Sequence, residues 1–123
     1  MKPIVIESPY AGDVERHLIY LGFCMLDCLR RGETPYSSHG LLTRILDDNK
    51  PEERALGIQA GIDMAEFIGK AAFYLDLGFT PGMSIARKHY DGLKKFSWEP
   101  RELPPDLLAQ FLAKSPGRLA RTS

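Results

Sequence analysis

The stretch IVIESPYAGD, Ile4 to Asp13, decides how the chain is read. Three β-branched residues run without a break into a polar, tightly turned loop. A short run that is apolar throughout fits a strand buried on both faces, as in a parallel sheet. Asp13 is placed to cap a helix, and the residues after it supply one. Val14, Leu18, Leu21, Met25 and Leu29 recur at helical spacing and predict the buried stripe of that helix. Arg30, Arg31 and Gly32 close it, with cations at the negative end of the dipole and glycine just beyond.

The same alternation repeats down the chain. TPYSSHG (34–40) predicts a short second strand, with Ser37 to Gly40 as loop. DDNKPEER (47–54) starts a second helix, with Pro51 in the first turn and Glu52 and Glu53 at its positive end. Gly57 and Gly61, four apart within it, suggest close packing on a sheet or another helix. AAFYLDLG (71–78) predicts the third strand, and FTPGMSIARKHY (79–90) a third helix capped by Thr80 with Pro81 first. KKFSWEP (94–100) predicts a fourth, edge strand, and PPDLLAQFLAK (104–114) an amphipathic helix. Strand and helix alternating four times predict an α/β fold: a small doubly wound, mostly parallel sheet of about four strands, helices on both faces, order 2-1-3-4. One domain spans 1–113, and 114–123 is expected to be a basic, flexible tail.

Composition narrows the functions. Sixteen basic residues balance sixteen acidic ones, which argues against a nucleic-acid partner. No apolar run reaches the roughly 20 residues a membrane span needs, and the N-terminus lacks a signal-peptide core, so a cytoplasmic protein with no membrane partner is expected. Cys24 and Cys28 read as reduced core thiols rather than zinc ligands, and no metal or cofactor is expected.

In doubly wound sheets, ligands bind beyond the carboxyl ends of the strands where the strand order reverses. That edge should gather Ser8, Tyr10, Ala11, Gly12 and Asp13 from the first loop, and Ser38 and His39 from the second. From the third it should gather Asp76, Thr80, Pro81, Gly82 and Met83, while the second helix start adds Glu52, Glu53 and Arg54. Backbone N–H groups after Gly12 and Gly82 suit a phosphate or carboxylate, Tyr10 a base, and the aspartates ribose hydroxyls. G-x-G-x-x-G, the P-loop lysine and G-x-S-x-G are all absent.

ESPYAGD (7–13), SSH (37–39), PEERALGIQAG (51–61) and YLDLGFTPGM (74–83) together resemble the nucleoside 2-deoxyribosyltransferase-like superfamily, especially its small phage and bacterial members. The resemblance implies a flavodoxin-like α/β fold and action at the N-glycosidic bond of a nucleoside, nucleotide or ribosyl metabolite. It implies that Tyr10, Ala11 and Gly12 lie near sugar and base, and that Asp76 holds sugar hydroxyls. It also implies a catalytic glutamate one turn into the helix after Thr80-Pro81-Gly82, where this chain has Ala86. Glu53, with Asp76, is the expected catalytic substitute, and Glu7 a second choice. The alternative is a non-catalytic binder or sponge for a nucleotide signal, as a phage accessory or counter-defence protein would be. Members of the superfamily often complete their sites with a neighbouring subunit, so a homo-oligomer is expected, with the last helix as one candidate interface.

Overall fold

The computed structural model describes residues 1–120; the end of the expected tail, 121–123, lies outside the described residues. Four strands, β1 (Lys2–Glu7), β2 (Glu33–Tyr36), β3 (Lys70–Tyr74) and β4 (Ser97–Arg101), form one sheet in the order β2-β1-β3-β4. Every pairing is parallel, with Val5 opposite both Tyr36 and Ala71, and Ala71 opposite Trp98. The chain is therefore α/β and doubly wound, with the strand order reversing between β1 and β3.

The helices are α1 (Val14–Arg30), α2 (Ser38–Leu41), α3 (Pro51–Ile68), α4 (Pro81–Asp91) and α5 (Pro105–Lys114), with a 3-10 turn at Leu42–Arg44. Side chains alternate across a strand, and the sheet sorts them into two cores. Ile4, Ile6, Ala72 and Tyr74 pack with Tyr20, Leu21, Cys24 and Cys28 of α1 and with Leu107 and Phe111 of α5. Val5, Ala71 and Phe73 pack on the other face with Ala65 of α3 and with Met83 and Tyr90 of α4. The apolar side of α5 is thus turned into its own domain.

Two local expectations are corrected. Ser38 to Gly40 is not loop but the start of the α2 turn. Four residues carry too little pattern to announce a helix; contacts at two glycines seat this one. A Cβ on Gly40 would lie 3.1 Å from Leu21 Cδ2 of α1, and one on Gly61 would lie 3.4 Å from Ser38 Oγ. The stripe assigned to α1 holds only in part: Leu21 is buried and Met25 packs on the first core, but Val14, Leu18 and Leu29 are exposed, and Tyr20, Cys24, Asp27 and Cys28 are buried in their place. Apolar residues nearly encircle this helix, so periodicity alone could not pick the inner face. Tyr20 and Asp27 turn inward because buried partners accept or donate their hydrogen bonds.

One such network spans the first core. Arg101, its side chain 3% exposed, binds Glu33 through both terminal nitrogens at 2.7 and 2.8 Å. The Tyr74 hydroxyl donates to Asp27 at 2.6 Å, and Arg101 Nη1 donates to Tyr74 at 3.4 Å. Opposite edges of the sheet are tied together in this way.

Candidate functional site at the strand-order switch

The carboxyl ends of β1 and β3 meet at the switch, and both loops leave from there. Gly12, at φ +94, turns the first loop into α1. Asp13 caps that helix by accepting from Arg16 N at 3.2 Å. His17 Nδ1 lies 2.9 Å from the Tyr10 carbonyl, which can only accept, so this nitrogen carries the proton. His17 thus pins the loop.

Tyr10 and His39 come together, ring centres 5.1 Å apart, joining the first loop to α2. Burial holds the His39 imidazole below the usual histidine range, with Asp48 opposing that shift, so the ring is kept neutral. Across the switch, the Thr80 hydroxyl accepts from Met83 N at 3.3 Å, and the Thr80 carbonyl accepts from Ser84 N at 3.0 Å. Pro81 has no N–H, which leaves the Gly82 N–H as the donor exposed at the helix start. Met83 itself is buried in the second core rather than presented at the edge. Ala11, Gly12 and Pro81 are exposed.

The carboxylates divide between the two faces of the sheet. Asp76 turns under α1, 6% exposed, where Oδ2 accepts from the Tyr20 hydroxyl at 2.6 Å and from Leu103 N at 3.0 Å. Glu53 accepts from Asp47 N at 3.0 Å and lies 3.5 Å from Lys50 Nζ, closing the turn before α3, while Arg54 is exposed in that helix. Both expected catalytic carboxylates are therefore engaged in structure, Asp76 across the first core and Glu53 within its own turn. Ser38 faces Gly61 of α3.

Glu7 stands apart. It ends β1 on the Val5 face, partly exposed, with its carboxyl beside the Tyr90 hydroxyl of α4. Burial pushes its pKa up to about 7, and the nearby Tyr90 hydroxyl only partly offsets that. Ala86, one turn before Tyr90, packs against the same cluster. Beside Glu7, Ser8 is 2% exposed and its hydroxyl has no hydrogen-bond partner among the described residues. The sequence signal for Glu7 was its place as the last strand residue at the switch; its proton affinity needed the fold.

Two surface grooves lie elsewhere. One of about 350 Å³ runs between Leu18, Phe23 and Lys114, and one of about 250 Å³ between Met25, Tyr36 and Leu41. Among the described residues no three His, Cys, Asp or Glu side chains gather as a metal site would need. No described helix is long and apolar enough to cross a membrane.

The fold is a doubly wound α/β domain whose strand order reverses between β1 and β3. By sequence the chain belongs to the DUF7768 family, a domain of unknown function, whose model matches residues 2–95. That match takes in β1 through α4 and every residue of the candidate site. No curated protein and no solved structure matches the chain.

Proposed function

We propose that this protein binds a nucleoside, nucleotide or related ribosyl metabolite at the switch between β1 and β3. The observation that carries the reading is the Tyr10–His39 ring pair beside the switch, with the α4 start and its exposed Gly82 N–H across it. An aromatic pair offers a face for a base, and a helix N-terminus favours an anionic group. The resemblance of ESPYAGD and YLDLGFTPGM to nucleoside 2-deoxyribosyltransferases supports the same ligand class. With Asp76 and Glu53 holding structure and alanine at 86, binding without turnover fits best, as in a sponge or sensor working in the cytoplasm.

A second reading, cleavage or transfer at the N-glycosidic bond, rests on Glu7. A partly exposed carboxyl with a pKa near 7 suits a general acid that protonates a departing base.

The test incubates the protein with nucleosides, mononucleotides, NAD and cyclic nucleotides, then separates bound ligand from released base by chromatography. Retained intact ligand, weakened about tenfold or more in Tyr10→Ala, supports binding. Base release abolished by Glu7→Gln would favour the enzyme. Neither retention nor release across the panel would overturn both.

A further inference from the structure

The chain does not leave the surface where α5 ends at Lys114. Ser115 N–H donates to the Phe111 carbonyl at 2.8 Å, and the next five residues run back toward the switch without joining helix or sheet. Gly117 lies against the guanidinium of Arg16 in the first turn of α1. A Cβ on Gly117 would come 2.8 Å from Nη2 and 3.0 Å from Cζ, closer than carbon packs. That guanidinium also lies over the Phe111 ring, its Cζ 5.0 Å from the ring centre. Arg16 Nη2 donates to the Arg118 carbonyl at 3.2 Å. The Ala120 N–H donates to the Asp76 carbonyl at 2.7 Å, and the Ala120 methyl closes over Gly78.

We propose that residues 115–120 are a releasable strap, latched by Arg16 and the Asp76 carbonyl, that covers the α1 flank of the switch and competes with the ligand there. The competition rests on the ligand reading above. Few contacts hold the strap, residues 116–120 are exposed, and segments held so thinly belong to the low-stability end of a structure. Its latch is also a charge without a matched partner: among the described residues no carboxylate lies within ion-pair distance of Arg16, and its Nε is buried without a hydrogen bond. A phosphate brought to the switch would draw that guanidinium away from the Arg118 carbonyl and open the strap.

Hydrogen exchange of the full chain, read by mass spectrometry over 115–120, tests this alongside Gly117→Val. The valine pushes the guanidinium aside while leaving the core untouched. The Ala120 amide is expected to exchange roughly tenfold slower in the parent chain than in Gly117→Val. Saturating deoxyadenosine 5′-monophosphate should erase that protection, and the valine variant should bind this nucleotide about threefold or more tightly. Equal exchange in the two chains would overturn the latch. Equal affinity, or greater Ala120 protection with nucleotide bound, would overturn the competition. Protection that differs as expected while neither chain binds the nucleotide would leave the strap standing and count against the site's ligand class.

Discussion

Glu7 ends β1, Asp76 lies two residues past the end of the adjacent β3, and the two face opposite cores, a difference that sets what each can do. The folded state holds the Glu7 proton more tightly than the unfolded chain, with a pKa of about 7 against 4.5. Its contribution to stability is therefore complete below pH 4.5 and is lost as pH rises through 7. At 1.36 kcal/mol per pKa unit, the loss is up to about 3 kcal/mol. Glu7→Gln should match the parent in urea melts at pH 4 and exceed it by up to about 3 kcal/mol at pH 8. An identical difference at both pH values would contradict this. For Asp76, replacement by alanine strands a buried tyrosine hydroxyl and the Leu103 N–H, so a loss of about 2–4 kcal/mol is expected in the same melts. The caps at Asp13 and Thr80 were legible because a cap is local. The job of Asp76 was not, because its partner Tyr20 lies 56 residues away.

At the scale of elements, strands with continuous apolar runs and helices with polar starts could be read directly. What could not be read was anything decided by a neighbour: the α2 turn, with its Gly40 against Leu21 of α1 and its Ser38 against Gly61 of α3, and the inner face of α1. Glycines show the contrast in α3. Gly69 ends that helix at φ +79, a left-handed position that disfavours any side chain. Gly61 has helical geometry and room for a Cβ at ordinary contact, 3.4 Å from Ser38 Oγ. Gly69→Ala should cost about 1 kcal/mol, whereas Gly61→Ala should be neutral or gain up to about 1 kcal/mol from helix propensity. Urea midpoints of the two variants check the pair, and a reversal of sign would show that the glycines of α3 serve the opposite purposes.

For the whole molecule, alternation gave the parallel α/β class, and the order 2-1-3-4 expected for it is the one observed, which placed the switch before any contact was known. The tie across the sheet did not follow, because Arg101 and Glu33 are 68 residues apart on strands that never pair. Arg101→Met leaves the part-buried Glu33 without its cation and should cost about 1.5–3 kcal/mol, while adding Glu33→Met should recover most of it. A double variant no more stable than the single would contradict that account. The candidate site was legible as a set of loops but not as chemistry. Whether a carboxylate faces ligand, core or a local turn depends on sheet faces that sequence order does not reveal. The most direct test of the central claim is an amide NMR titration of the full chain with nucleosides and mononucleotides. At least one of them is expected to shift resonances at 8–13, 37–43 and 76–84 together, leaving the outer face of α3 unmoved. Shifts confined to another surface, or none at saturating ligand, would contradict it.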